Sequence, residues 1–367
     1  MTRVLFIILS YSMGGGAESL LTTIVNHLDP EKYRCDILEM LHAGVKEEPC
    51  SPNVTVLPYI MRADDPERKT KMYSFYHEWD KVIGRYVPED YDVYVSFNYQ
   101  RPSFLLPPGG RNIAWIHSDL YVLGRPNKAE ERELQRRAFA KTSRIVAISD
   151  VTYASVRDLF PESLGKTVQI FNGVDIENVR RLSHESCLLE PEHPALLYCG
   201  RLEERKRPCY AVDVLAELRR RGVPAHLYFM GYGPLENNAR DYVRKLGLED
   251  AVRFLGYIGN PFPVMGRMDL TVMTSATEGF PMNLLESVAL GVPFVSTPVG
   301  GAVPLSCGGS CGRVERSVPA FADAVERLLG PDREVAKTAC RKEIENFALD
   351  AYIARIEALI DDVARGD

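Results

Sequence analysis

The sequence predicts an α/β protein made of two successive parallel-sheet units. Short apolar runs alternate with longer stretches of helical periodicity, the signature of a largely parallel sheet covered by helices. That alternation starts again at Ala195 after a polar, proline-containing stretch. The length of 367 residues also exceeds what one ordinary core fills, so two domains are the default.

In the first half the apolar runs are Val4–Leu9, Cys35–Met40, Val54–Leu57, Val93–Phe97, Asn112–Ile116, Arg144–Ile148 and Val168–Phe171. Amphipathic segments such as Ala17–Leu28 and Glu131–Lys141 lie between them. In the second half, strands are predicted at Ala195–Cys199, Ala225–Met230, Val252–Leu255, Leu270–Thr274 and Phe294–Ser296. Helices are predicted at Pro208–Arg221, Leu235–Leu246 and Pro281–Leu290, the last with Pro at its start and Gly291 past its end. Residues 175–193, with His184, Glu185, Ser186 and Pro191, read as the linker. A final helix over Asp350–Val363 puts Ile353, Ile356, Leu359, Ile360 and Val363 on one face, with Asp350 as its N-cap. Residues 61–71 read as a solvated charged loop.

Composition narrows the function. A net charge of −6 argues against a mainly electrostatic nucleic-acid binder, and no nucleic-acid partner is expected. Eight cysteines show no C-x-x-C or zinc-finger spacing, which fits a reduced cytoplasmic compartment. Cys199 reads as a buried small residue, and Cys307 and Cys311 as two thiols of a glycine-rich turn. No apolar run approaches the roughly 18–20 residues of a bilayer span. Val4–Leu9 reads as a buried first strand rather than a signal peptide.

Four segments carry chemistry. Ser12–Glu18, with Gly14, Gly15 and Gly16, follows the first strand and opens a helix, where backbone N–H groups suit an anion. It lacks the G-x-G-x-x-G spacing of dinucleotide sites, and a tight turn is the plain alternative. Arg201 and Lys206 follow the strand end at Cys199–Gly200, and two cations there suit a diphosphate. Against this, Glu203 and Glu204 could neutralise them as a surface cluster. Glu278 precedes a helix and Glu286 lies on it, so both carboxylates could accept hydroxyl donors of a sugar and a ribose. Simple capping and an exposed helix face are the competing readings. His117 follows a buried strand at its carboxyl end, where open α/β sheets bind ligands, although a packed histidine is the commoner case. Asp90 and Asp92 spell D-x-D, but before a strand this is ordinary turn chemistry.

Together these segments resemble the family-4 retaining glycosyltransferases of GT-B fold over nearly the whole chain. The resemblance rests on GGGAE at 14–18, WIHSD at 115–119, VAISD at 146–150, IFNGVD at 170–175, GRLEERKRP at 200–208, GYGPL at 231–235 and LGLEDAVRFLGY at 246–257. ATEGFPMNLLESVALGVPFVSTPVGG at 276–301 is its most specific block. Within the family the chain looks most like bacterial enzymes of lipopolysaccharide, O-antigen, capsule or exopolysaccharide synthesis.

The resemblance implies two Rossmann-like domains facing an interdomain cleft: an acceptor-binding domain over 1–178, a nucleotide-sugar-binding domain over 179–347, and a C-terminal helix over 348–367 returning to the first domain. It implies Gly15 and Gly16 near the donor phosphate and acceptor, and His117 on the donor sugar. Arg201 and Lys206 would hold the diphosphate, Glu278 the sugar hydroxyls, and Glu286 the ribose. Gly279, Phe280 and Leu285 would line the donor, and Tyr257 and Ile258 the base. The implied reaction moves a hexosyl or N-acetylhexosaminyl unit from a nucleotide-sugar, with a lean to UDP, to a glycan or lipid-linked acceptor with retention. No cofactor and no essential metal are expected, the nucleotide-sugar being a co-substrate. Arg207 departs from the small residue common after the lysine, and 58–90 has no family pattern. A basic face of Arg132, Arg136, Arg137 and Lys141 could contact the inner membrane surface, although Glu131 and Glu133 beside it suit an ordinary mixed surface. A sugar-nucleotide epimerase and a non-catalytic nucleotide-sugar-binding protein are the alternatives on the same architecture.

Overall fold

The computed structural model describes residues 1–45, 50–87, 89–98, 101–121 and 128–366. They form two compact units, one of Met1–Phe171 with the chain from Tyr352 onward, the other of Asn172–Ala351.

The first unit is a parallel sheet of seven strands in the spatial order Val54–Val56, Tyr33–Glu39, Thr2–Ile8, Val93–Phe97, Asn112–Ile116, Arg144–Ala147 and Thr167–Gln169. The central strands are apolar throughout because helices cover both faces: Val4 to Ile8 are fully buried. Chain order reverses between Thr2–Ile8 and Val93–Phe97, the place where such sheets open at their carboxyl ends.

The second unit repeats the plan with six parallel strands. Their order is Val252–Gly256, His226–Met230, Ala195–Cys199, Leu270–Met273, Phe294–Ser296 and Gly312–Val314. Its core joins Leu196, Leu227, Phe229 and Val272 of the strands to Val212, Leu215 and Leu218 of helix Pro208–Arg220. The reversal lies between Ala195–Cys199 and Leu270–Met273.

The C-terminal helix, Leu349–Arg365, buries Ile353, Ile356, Leu359, Ile360 and Val363 as its periodicity requires. Glu357 accepts from the Asp29 N–H at 2.9 Å, Tyr33 donates to Asp361 at 2.7 Å, and Arg144 pairs with Asp362 at 2.7 Å. Asp350 is not its N-cap but stands in its first turn, because the helix starts one residue earlier.

Two other readings change. The stretch read as a linker contains helix Ile176–Ser183, capped by the Asp175 side chain on the Asn178 N–H at 2.9 Å. Arg180 ties it to the Ala289 carbonyl, and Asn260 donates to the Leu182 carbonyl, so it belongs with the second unit. The charged loop 61–71 is partly structured: Met61–Arg62 pairs with Leu41–His42, and helix Arg68–Val82 begins within it. Its charges saturate one another, as Lys71 with Asp65 and Arg62 with Asp64.

Backbone packing between loops of the second unit leaves no room for side chains. A Cβ on Gly231 would lie 2.2 Å from the Gly200 carbonyl oxygen, with φ at +131°. Gly222 also has positive φ, +83°, but open space around it. Gly231→Ala should therefore cost more than about 3 kcal/mol in urea unfolding, while Gly222→Ala costs only about 1 kcal/mol of backbone strain. Equal losses would contradict this packing.

Candidate functional site

In the second unit the loop Gly200–Arg207 is fixed before any ligand is considered. Gly200 N–H donates to the Met230 carbonyl at 2.9 Å, and Leu202 N–H to that of Tyr232 at 3.1 Å. Tyr198 donates its hydroxyl to the Arg201 carbonyl at 3.1 Å. Arg207 explains its own unusual presence. It adopts φ +47° at the start of helix Pro208–Arg220, donates to the Thr274 carbonyl at 2.7 Å, and lies over the Tyr210 ring. The Thr274 hydroxyl returns a hydrogen bond to the Lys206 carbonyl at 3.1 Å. The loops after the two central strands are thus stitched together at the reversal point.

That stitching brings Lys206 to Glu278. The ammonium lies 2.6 Å from one carboxylate oxygen, and Arg205 lies 3.0 Å from the other. Burial pushes the Glu278 carboxyl up, but the Lys206 ammonium and the Arg205 guanidinium outweigh it and the net shift is downward. Glu278 is 9% exposed and ionised, a buried charge sustained by two partners. Arg201, expected beside Lys206, points elsewhere: its side chain is largely exposed, with Glu203 at 3.7 Å. Arg205 is the cation that the sequence reading missed. It lies within the quoted GRLEERKRP block, but neighbouring loop residues differ only in direction, which spacing does not encode.

Helix Met282–Ala289 starts without a side-chain cap. Its Asn283 amide donates to the Cys199 carbonyl at 2.6 Å, which places the helix start beside the Gly200 loop. Glu286, one turn further on, is half-buried, and burial pushes its carboxyl up to about 7. Its charge reaches Cys199, whose half-buried thiol is pushed up to about 12 by burial first and then by Glu286, with Lys206 opposing. Lys206, Glu278, Cys199 and Glu286 are therefore one electrostatic neighbourhood.

The remaining residues expected at the nucleotide-sugar divide. Leu285 is fully buried and its N–H donates to the Pro281 carbonyl at 3.2 Å, so its side chain offers a ligand nothing. Phe280 is buried against Phe347 and over Gly301, leaving Gly279 and the Phe280 backbone as its contribution. Tyr257 is 71% exposed and meets Tyr232, also exposed, edge to face at 6.2 Å. Tyr232 belongs to the quoted GYGPL but was not singled out. Ile258 is half-buried and packs toward Met230.

In the first unit, Gly15 precedes helix Gly16–His27. A Cβ on Gly15 would lie 2.6 Å from a carboxylate oxygen of Glu18, which folds back over the loop and accepts from Asn98 at 3.4 Å. His117 is buried against Phe97, their rings 4.3 Å apart. Burial pushes its imidazole down to about 3, so it is neutral at physiological pH. Its Nε2 is buried and has no hydrogen-bond partner among the described residues. Such an atom is costly unless a ligand satisfies it. Gly15, Glu18, Asn98 and His117 all follow strand ends at the carboxyl edge of the sheet. Asp92 of the D-x-D stands at the opposite edge, where it accepts from the Arg3 N–H at 2.8 Å. Three of the four cations of the basic face are paired, Arg136 with Glu133 and Glu162, Arg137 with Glu133, and Lys141 on the Leu106 carbonyl, while Arg132 is exposed. No described helix is long and apolar enough to cross a membrane.

Residues 14–178 match the family model Glycosyltransferase Family 4, and residues 193–330 match Glycosyl transferases group 1. The chain belongs to the glycosyltransferases. Among curated relatives, alpha-D-kanosaminyltransferase of Streptomyces kanamyceticus is 28% identical over 59% of this chain and 61% of its own length. The chain therefore spans less than two thirds of that relative's length. Among solved structures, the lipopolysaccharide outer core galactosyltransferase WaaB, apo form, superposes with a TM-score of 0.72 at 19% identity, covering 98% of this chain and 99% of that one. The Anabaena protein HepE in complex with UDP and glucose gives 0.73 at 16% identity, covering 98% and 100%. These likenesses show that the glycosyltransferase has the GT-B fold.

The Glu286 shift yields a signed prediction. A carboxyl near 7 when folded and near its ordinary value when unfolded costs no stability at low pH. It destabilises the fold increasingly as pH rises through that window. Glu286→Gln should therefore raise the melting temperature relative to the parent at pH 8, with the advantage vanishing near pH 4.5. A pH-independent difference would show that burial does not desolvate this carboxylate.

Proposed function

We propose that the chain is a retaining glycosyltransferase that moves a hexosyl or N-acetylhexosaminyl unit from a UDP-sugar to a glycan or lipid-linked acceptor in cell-surface polysaccharide synthesis. The observation that carries the reading is the ion cluster of Lys206 and Arg205 on buried Glu278 beside an uncapped helix start. A diphosphate is the ligand that such cations and the positive end of a helix suit. Hydroxyl groups are what the carboxylates of Glu278 and Glu286 accept from.

In this mechanism the bond between sugar and diphosphate breaks with negative charge growing on the leaving oxygen. Lys206, Arg205 and the start of helix Met282–Ala289 stabilise that charge, Arg201 joining them when it turns from Glu203. Glu278 orients the sugar and Glu286 the ribose. Tyr257 and Tyr232 hold the base. In the first unit neutral His117 offers Nε2 to a sugar hydroxyl, and Gly15 lets a ligand approach the backbone. The acceptor hydroxyl attacks the same face that the diphosphate leaves, its proton passing to the leaving phosphate oxygen, and the anomeric configuration is kept. The reaction needs no metal in this reading. The D-x-D carboxylate of Asp92 is committed to the Arg3 backbone. The first unit takes the acceptor. Arg136 and Arg137 keep their acidic partners, so no membrane role is assigned to that helix.

A thermal-shift panel of UDP-sugars identifies the donor, because a ligand at about 100 times its Kd stabilises by about 2.7 kcal/mol. With that donor, Lys206→Ala and Glu278→Gln should each lower kcat by about 10²–10³-fold. Turnover close to the parent in both would refute the assignment.

A further inference from the structure

A second constellation stands on the other side of the glycine-rich loop, and the chemistry above makes no use of it. Glu39 ends strand Tyr33–Glu39 and is 3% exposed. One of its oxygens takes the N–H groups of Tyr11 and Ser12, each at 2.8 Å, and the hydroxyls of Ser12 at 2.6 Å and Ser10 at 3.2 Å. A single carboxylate oxygen therefore fixes the chain that leads into Gly14–Gly16. The Ser12 hydroxyl passes the order on by accepting from the N–H groups of Ala43 and Gly44 at 2.8 and 3.0 Å.

The other oxygen holds a histidine. Glu39 Oε2 lies 2.8 Å from His42 Nδ1. A carboxylate only accepts, so the imidazole donates Nδ1–H, and in the neutral ring Nε2 carries the free lone pair. The ring is clamped flat against Tyr59, centroids 4.4 Å apart and planes 9° from parallel. Nε2 has no hydrogen-bond partner among the described residues, and the ring is part-exposed. Beyond Nε2 stands Gly44, at φ +62°, where even a Cβ would come within 3.4 Å of that nitrogen. A glycine keeps the approach to Nε2 open.

We propose that His42 is an acceptor-recognition residue, with Glu39 as its positioning residue: Nε2 accepts a hydrogen bond from a saccharide hydroxyl beside the glycine-rich loop. The inference deepens the transferase reading and rests on it for calling that saccharide the acceptor. The site offers a lone pair, so its ligand must bring a donor. A carboxylate or a phosphodiester brings none, and any anion would face the Glu39 carboxylate. A sugar brings hydroxyls together with a C–H face suited to the exposed ring of Tyr59.

The test uses the full chain with ¹⁵N-labelled imidazoles. The chain has seven histidines, and the His42 signals are assigned by their loss in His42→Gln. Before any ligand is added, His42 should show the Nδ1–H tautomer. Methyl α-D-glucopyranoside, methyl α-D-galactopyranoside and methyl N-acetyl-α-D-glucosaminide are then titrated, with methylammonium chloride as the rival donor. Saturable movement of the His42 Nε2 resonance with at least one glycoside is expected, and Glu39→Gln should abolish both the tautomer preference and that movement. If Glu39→Gln fails to fold, the parent spectra still decide. An Nε2–H tautomer, or no response to any glycoside, or a response to methylammonium alone, overturns the proposal. UDP titrated calorimetrically into the same protein reports on the second unit. Absence of any UDP effect there would defeat the transferase reading while leaving the His42 result to stand separately.

Discussion

A buried carboxylate that stays ionised organises this molecule. Removing Glu278 from water without partners would push its proton back on, and the ammonium of Lys206, the guanidinium of Arg205 and a hydrogen bond from Ser275 reverse that tendency. Those two cations reach it because the loop carrying them is fixed to the loops of the neighbouring strands. Gly200 and Gly231 allow backbone to approach backbone, and Arg207 closes the stitch on Thr274. Much of the local packing in the second unit thus holds one ion cluster at the carboxyl ends of its central strands. In the proposed reaction, sugar hydroxyls compete for the carboxylate and phosphate oxygens for the cations.

The first unit uses the same physical device with a different output. Glu39 is also a carboxylate at a strand end, but its partners are backbone N–H groups, serine hydroxyls and one imidazole. Its oxygens accept hydrogen bonds where those of Glu278 meet cations. The result is a shaped loop rather than a charged pocket. Two sheets with the same reversal of strand order thereby present different chemistry at equivalent edges, cationic in one and hydrogen-bonding in the other.

What the sequence revealed follows from how each signal is encoded. Strands such as Val93–Phe97 and Ala195–Cys199 were legible because parallel, doubly covered strands are unbroken apolar runs. Lys206 was singled out after the strand end at 199–200, and Glu278 and Glu286 by their order and spacing within 276–301. Helix Ile176–Ser183 was not, since its polar face and short length resemble a linker and its two buried residues, Ile176 and Val179, make too little pattern. That Arg205 rather than Arg201 meets Glu278 depends on which way side chains leave a loop. Glu39 and His42 escaped notice because a lone acid after a strand looks like any turn, and only folding brings Ser10–Ser12 against it. Leu285 shows the converse: within a specific block, one position serves the core alone.

The central claim is that the second unit grips a diphosphate through Lys206 and its partners. Calorimetric titration of the intact chain with uridine, UMP and UDP tests it most directly. Affinity should climb steeply with each phosphate in the parent, and the gain from UMP to UDP should largely disappear in Lys206→Ala. Equal binding of uridine and UDP by the parent, or an undiminished phosphate gain in the variant, would contradict it.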